Sequence, residues 1–166
     1  DSGCDVKVSE VHGMSQRGGS VVTYVRFGDE VYSPVIGKGD ADVILSFELL
    51  EAARWLPNLK NGGVIVTSIQ EINPMPVITG AAVYPSDIVD DIKALGVDIR
   101  PINALSIAEK AGNQKASNVA LIGYAADVLG FDHKILRDAV AASVPEKALE
   151  VNLKAFDLAV DMASGK

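Results

Sequence analysis

Two short apolar runs constrain the fold of this chain more than any other feature. Residues 42–47 (DVILSF) and 64–69 (VIVTSI) are rich in aliphatic side chains and lie between polar or glycine-containing stretches. Such runs are typical of strands buried on both faces of a parallel sheet. Residues 48–56, between them, show the apolar spacing of a helix. We therefore predict a βαβ unit with a right-handed crossover.

The rest of the chain extends this pattern. A helix over residues 87–95, N-capped by Ser86, leads into a strand at 97–100 that we expect Pro101 to end. Further helices are predicted over residues 105–110, over 113–129 with Gly123 permitting close packing, over 135–142 with an Asp132 cap, and from a capping box at 143–146 to about Ala163. The fold class is therefore α/β, a three-layer α/β/α Rossmann-like domain with a mostly parallel sheet, a β-hairpin and extra C-terminal helices.

The N-terminal part is predicted to supply the hairpin. Residues 4–9 alternate like a strand, and residues 20–27 are rich in β-branched and aromatic side chains. After the turn at Gly28-Asp29, residues 30–33 should pair back on the second strand. Gly3 precedes the first strand as Gly96 precedes residues 97–100, where a helix comes before the glycine. We therefore expect residues 1–166 to form a single domain that lacks an N-terminal βα unit.

Composition disfavours several functional classes. The net charge is −7 and the basic residues form no cluster, so we expect no nucleic-acid binding. No apolar run approaches the roughly 20 residues that cross a membrane, and with no visible signal peptide we expect a cytoplasmic protein. The single Cys4 excludes an internal disulfide and an all-cysteine iron–sulfur site on this chain. The hydrophobic fraction of 48% suits a helix-covered sheet or a surface that another subunit buries.

The stretch 10–19 (EVHGMSQRGG) is the strongest candidate for a functional site. It places mixed polar groups on a glycine-rich backbone: His12, Ser15, Gln16, Arg17, Gly18 and Gly19. By composition alone, a connection between two strands is the commoner explanation. A guanidinium beside two glycines can also bind a phosphate or carboxylate, with backbone N–H groups nearby, or form an ion pair with another subunit. Spacing leaves these roles of Arg17 open.

Three other polar residues lie where ligands or helix caps are expected. Ser46 and Glu48 follow a predicted strand and open a helix, which is where ligands bind in open α/β sheets. A simple N-cap by Ser46 is an equal alternative. Asn113 is placed to cap the helix that follows it. The sequence shows no catalytic serine elbow, metal-ligand cluster or complete dinucleotide fingerprint, which disfavours an independent nucleotide-binding enzyme.

Residues 9–22 (SEVHGMSQRGGSVV) resemble the gamma domain of the 2-oxoacid:ferredoxin oxidoreductase family, most closely the beta subunits of indolepyruvate ferredoxin oxidoreductases. The similarity continues at residues 25–28, 31–34, 41–48, 111–113, 116–119 and 151–156, and more weakly at 77–82. It therefore spans nearly the whole chain. One departure is that the family's N-terminal strand and glycine-rich turn have no counterpart among residues 1–166, which agrees with the expectation that an N-terminal βα unit is lacking.

The resemblance implies a subunit of a complex that oxidatively decarboxylates aryl 2-oxoacids with coenzyme A, giving an acyl-CoA, carbon dioxide and reduced ferredoxin. It implies that thiamine diphosphate and iron–sulfur clusters belong to a larger alpha subunit, so this chain alone would bind no cofactor and be inactive. We expect a homodimer when the chain is isolated. A non-catalytic scaffold subunit, or a gamma subunit for pyruvate or 2-oxoglutarate, is the alternative.

Overall fold

The computed structural model describes residues 3–12 and 21–165, and for His12 the backbone alone. Its strands are β1 (Asp5–His12), β2 (Val21–Gly28), β3 (Ala41–Ser46), β4 (Leu59–Ser68) and β5 (Asp98–Ile102). Its α-helices are α1 (Leu49–Trp55), α2 (Met75–Ile78), α3 (Ile88–Ala94), α4 (Ala104–Ala111), α5 (Ser117–Tyr124), α6 (Ala126–Leu129), α7 (His133–Ser143) and α8 (Leu149–Ala163). Strands β3, β4 and β5 form a parallel sheet with β4 in the centre, and β1 pairs with β2 antiparallel.

Strand β4 separates two apolar layers. Ile65 packs on one side with residues of α1 and α3, and Val66 packs on the other with residues of α4, α5 and α8. Both side chains are fully buried, because successive residues of a strand point to opposite faces and both faces are covered. Each such burial stabilises the fold by about 1.5–3 kcal/mol. The predicted three-layer α/β architecture with a parallel sheet is confirmed.

Strand β4 begins earlier than its apolar run. Ala41 pairs with Leu59, but Val43 pairs with Val64, so the register shifts between these two pairs. The extra residues on β4 include Gly62, whose φ of +77° lies in the left-handed region that side chains other than glycine's rarely adopt. Gly62 and Gly63 therefore lie inside the strand.

Strand β5 continues through Pro101, so the prediction that this proline ends the strand is wrong. Pro101 lies opposite Thr67 of β4, and the strand runs on to Ile102. Proline lacks an amide hydrogen, but β5 is an edge strand, so the missing donor need not interrupt the pairing.

The predicted strand at residues 30–33 is also wrong. Strand β2 pairs along its whole length with β1, from Asp5 opposite Gly28 to His12 opposite Val21. The eight paired positions of β1 form a longer ladder than residues 30–33 could offer. The chain leaves β2 instead and passes the start of β1, where the Val31 amide donates to the Asp5 carboxylate at 2.9 Å.

The β1–β2 ribbon is held to the body by contacts from both of its faces. On one face, Tyr24 packs edge-on against Trp55 of α1 with ring centroids 6.2 Å apart, and Arg26 forms an ion pair with Asp40 at 2.7 Å. On the other face, Phe27 packs against Phe131 with ring centroids 5.1 Å apart, while its neighbours Val6, Val8 and Val25 are exposed. An isolated two-stranded ribbon is marginally stable at best, so these contacts contribute to holding it in place.

Five predicted helices agree with the structure to within a few residues at most ends. Residues 48–56 correspond to α1, 87–95 to α3, 105–110 to α4, 135–142 to α7, and the helix predicted up to Ala163 to α8. The predicted Asp132 cap is confirmed, because its carboxylate accepts from the Lys134 amide at 2.8 Å. The helix predicted over 113–129 is instead a 3-10 turn followed by α5 and α6.

No helix among residues 3–12 and 21–165 is long and apolar enough to span a bilayer.

Two other predicted caps are wrong because each serine hydroxyl has another partner. Ser143 donates to the Ala139 carbonyl at 2.7 Å, inside α7, and so does not cap the next helix. Ser86 donates to the Asp87 carboxylate at 2.8 Å, and α3 begins after Asp87 without a side-chain cap.

Helices α5 and α8 approach closely at Gly123, as the sequence predicts. A Cβ atom on Gly123 would lie 2.6 Å from the Phe156 carbonyl oxygen and 3.2 Å from the Ala159 Cβ. The first distance is shorter than van der Waals contact, and the obstacle is backbone rather than a flexible side chain. Gly123 therefore sets the separation of these two helices.

We predict that Gly123→Ala lowers the free energy of unfolding by about 1–3 kcal/mol, as overpacking typically does. Alanine is the better helix former, so a loss of stability must come from the contact with Phe156. Gly37→Ala is the matched control, because a Cβ there meets no atom within 4 Å. Urea unfolding measures both, and equal midpoints for the two variants would contradict the packing model.

Candidate functional site

Most of the strongest predicted site lies outside the part of the chain that the structure describes. This holds for Ser15, Gln16, Arg17, Gly18 and Gly19. The backbone of His12 ends β1, opposite Val21 at the start of β2. The roles predicted for these six residues therefore stay predictions.

Ser46 and Glu48 meet at the carboxyl end of β3, and both are buried. The Ser46 hydroxyl donates to the Glu48 carbonyl oxygen at 2.6 Å, and the Glu48 amide approaches the same hydroxyl at 3.4 Å. Glu48, rather than Ser46, caps α1, because one of its carboxylate oxygens accepts from the Glu51 amide at 2.8 Å. A carboxylate at a helix N-terminus is stabilised by the free N–H groups there.

The second carboxylate oxygen of Glu48 joins two more segments to α1. It accepts from the Ile72 amide at 3.2 Å and from the Tyr84 hydroxyl through a short hydrogen bond. The Tyr84 hydroxyl in turn accepts from the Leu50 amide at 3.1 Å. One carboxylate therefore connects the start of α1, the chain that leaves β4 and the residues that precede α3.

Burial raises the pKa of Tyr84 well above its usual range, and the hydrogen bond to the Glu48 carboxylate and its negative charge raise it further. Each effect disfavours the phenolate. Tyr84 therefore stays a hydrogen-bond donor to Glu48 at neutral pH. This arrangement stabilises a charge that is already present and provides no proton for chemistry near neutrality.

The polar groups around Glu48 form a closed set. Within residues 3–12 and 21–165, every buried side-chain nitrogen or oxygen atom has a hydrogen-bond partner. In the same ranges, no three His, Cys, Asp or Glu side chains come together as a metal site would require. The described contacts of Ser46 and Glu48 are structural, and a direct role toward a ligand or partner stays a prediction.

Asn113 lies apart from this set. Its side chain accepts from the Lys115 amide at 3.0 Å and caps the 3-10 turn that follows α4, whereas α5 begins without a side-chain cap, so the predicted cap is confirmed for the turn and not for the helix. Helix α4 begins just beyond the carboxyl end of β5 and is eight residues long, so its far end is about 12 Å away along the helix axis. The structure therefore does not bring Asn113 together with Ser46 and Glu48.

The contact between Glu48 and Tyr84 was not predicted from the sequence. The two residues are separated by 36 positions, and no periodicity links them. Residues 69–86, which we name the carboxyl-end segment, form most of the chain between β4 and α3. The available signal was that residues 72–86 contain no charged side chain although 22% of the chain is charged.

We predict that Tyr84→Phe lowers the free energy of unfolding by about 1–2 kcal/mol, because a partly buried hydrogen bond to a carboxylate is lost. Tyr32→Phe is the control, since Tyr32 is 85% exposed. Urea unfolding at neutral pH compares both with the unsubstituted chain. A Tyr84→Phe midpoint equal to that of the control would contradict a stabilising role for the hydrogen bond between Tyr84 and Glu48.

The raised pKa of Tyr84 makes its contribution to the free energy of unfolding depend on pH. The pKa of Tyr84 is raised in the folded state, so its contribution to stability is complete below the unfolded pKa of about 10 and is lost as the pH rises through the folded value. The stability advantage of the unsubstituted chain over Tyr84→Phe should stay constant from about pH 7 to 9 and decline above about pH 10. An advantage that grows at alkaline pH would contradict this assignment.

A family model and a sequence relative both assign the chain to the same family of oxidoreductases. The family model described as pyruvate ferredoxin/flavodoxin oxidoreductase matches residues 1–162. The chain is 44% identical over 169 residues to the indolepyruvate oxidoreductase subunit IorB of Pyrococcus horikoshii, a match that covers 98% of this chain and 83% of the relative.

Two solved structures share the fold. The keto/oxoacid ferredoxin oxidoreductase gamma subunit of Geobacter sulfurreducens superposes with a TM-score of 0.68 at 21% identity, covering 99% of this chain and 83% of that one. The 2-oxoglutarate:ferredoxin oxidoreductase of Magnetococcus marinus, with 2-oxoglutarate, coenzyme A and succinyl-CoA bound, gives 0.67 at 20% identity, covering 99% of this chain and 26% of that one. From its sequence match and its fold, the chain belongs to the pyruvate ferredoxin/flavodoxin oxidoreductase family.

Proposed function

We propose that this chain is the smaller subunit of a complex that oxidatively decarboxylates an aryl 2-oxoacid, indolepyruvate, with coenzyme A. The observation that carries the proposal is the 44% identity, over 98% of the chain, to an indolepyruvate oxidoreductase subunit. The family match supports the coarser statement that the chain is a subunit of a 2-oxoacid:ferredoxin oxidoreductase. In the reaction the bond to the carboxyl carbon breaks, carbon dioxide leaves, and the acyl group forms a thioester with coenzyme A.

The redox chemistry is proposed to lie on a larger partner subunit. Thiamine diphosphate there would stabilise the carbanion left after decarboxylation, and iron–sulfur clusters would pass its electron pair to ferredoxin. This chain has one cysteine, Cys4, which is exposed, and a cluster needs several thiolates. The residues present therefore do not fit a resident cluster, and the chain's own contribution is binding and assembly.

The proposed contact with coenzyme A is the sequence around Arg17. A guanidinium can bind a phosphate through two parallel hydrogen bonds, and Gly18 and Gly19 allow a ligand to approach the backbone closely. His12, Ser15 and Gln16 add donors within the same short stretch. We include in the proposal ferredoxin as electron acceptor, a cytoplasmic location and a homodimer when the chain is isolated.

We propose indolepyruvate as the substrate, rather than 2-oxoglutarate or pyruvate, because the chain is much more similar in sequence to an indolepyruvate oxidoreductase subunit. The 2-oxoglutarate enzyme shares 20% identity with this chain, which supports a common fold and not a common substrate. The indolepyruvate subunit shares more than twice that fraction. The test is to co-express the chain with its larger subunit and assay coenzyme A-dependent reduction of ferredoxin by each 2-oxoacid. Faster reduction by 2-oxoglutarate than by indolepyruvate would overturn the substrate assignment.

We predict that Arg17→Ala in the assembled complex raises the Michaelis constant for coenzyme A roughly tenfold, which is the effect of losing one charge-assisted hydrogen bond. Arg54→Ala is the matched control, because Arg54 is a surface arginine that pairs with Glu51 of its own helix. An unchanged constant in Arg17→Ala, with the complex intact, would favour the non-catalytic scaffold alternative for this chain.

A further inference from the structure

The carboxyl-end segment exposes apolar side chains to an unusual degree. Val83 is 90% exposed and Ile78 is 65% exposed, and Ile72 and Met75 are exposed by more than half. From Ile72 to Ser86 the segment carries no charge, in a chain whose net charge is −7. Scattered exposed apolar residues are ordinary, but a contiguous uncharged stretch of them marks an interaction surface.

The structure holds this segment in place at both ends. At its start, the Ile69 amide donates to the Ile102 carbonyl at 2.9 Å, and the Gln70 carbonyl accepts from the Leu49 amide at 3.0 Å. Towards its end, Tyr84 is tied to Glu48. When a partner covers a segment whose backbone is already fixed at both ends, little further backbone entropy is lost. The segment therefore has the properties of a preorganised docking surface.

We infer that the carboxyl-end segment docks the larger subunit of the complex by inserting into an uncharged, apolar groove of that subunit. This inference rests on the proposed function. Fifteen of the 18 residues from 69 to 86 are exposed, and Phe47 beside them is 52% exposed. A stable protein–protein interface involves about 20–30 residues on each side, so this segment provides most of one side.

Symmetry and charge favour a different chain over a second copy as the occupant. A two-fold interface requires a surface that is complementary to itself, whereas a different chain can be complementary to the exposed residues of this segment without that constraint. Two copies in contact through this segment would bring together two net charges of −7, with no opposite charge from Ile72 to Ser86 to offset them, so the homodimer proposed for the isolated chain uses a different surface.

The test uses the co-expressed complex with an affinity tag on the larger subunit. Val83→Glu and Ile78→Glu each place a charge where the inferred contact excludes water, and we expect retention of this chain to fall at least about tenfold. Leu95→Glu is the matched control, because Leu95 is 70% exposed at the end of α3, outside the segment. Unfolding midpoints of the isolated variants should match that of the unsubstituted chain, because the substituted side chains are exposed.

The outcomes separate this inference from the proposed function. If the unsubstituted chain is not retained by the larger subunit, the proposed function fails and the inference fails with it. If the unsubstituted chain is retained and both glutamate variants are retained equally well, the inference alone is overturned. The inference is likewise overturned if Val83→Glu abolishes self-association of the isolated chain but leaves binding to the larger subunit intact, since the occupant would then be a second copy.

Discussion

The buried carboxylate of Glu48 fixes the arrangement of the chain at the carboxyl end of the parallel sheet. It accepts hydrogen bonds from the Glu51 and Ile72 amides and from the Tyr84 hydroxyl. Burying a charge is costly unless hydrogen bonds compensate it, and these three donors supply that compensation. Because one donor lies in α1 and the other two lie in the carboxyl-end segment, this one side chain holds two points of that segment to the start of α1.

The residues that sequence reasoning located correctly depend on local or periodic signals. The apolar runs predicted the buried parallel strands because both faces of β4 are covered, and Asp132 was recognisable because a cap acts within three residues. Two of the wrong predictions, the strand at residues 30–33 and the end of β5 at Pro101, depend on partners distant in sequence. Nothing near residues 30–33 shows that β2 prefers β1, and nothing near Pro101 shows that its strand lies at an edge.

The candidate site divides in the same way. The stretch containing Arg17 was singled out by residue type alone, since a guanidinium between glycines is suited to anions wherever the fold places it. Ser46 and Glu48 were located by their position after a strand, but the bond from Tyr84 depends on the tertiary fold and could not be predicted. A closed polar network with exposed apolar residues beside it suits a subunit of a larger complex.

Hydrogen–deuterium exchange tests the central claim most directly, namely that this chain works by presenting its carboxyl-end segment to a larger subunit. We predict that backbone amides of residues 69–86 exchange about tenfold more slowly in the assembled complex than in the isolated chain, because the contact excludes water. Amides of helix α7 should exchange at the same rate in both. Unchanged exchange across 69–86 in a complex that is demonstrably assembled would contradict the claim.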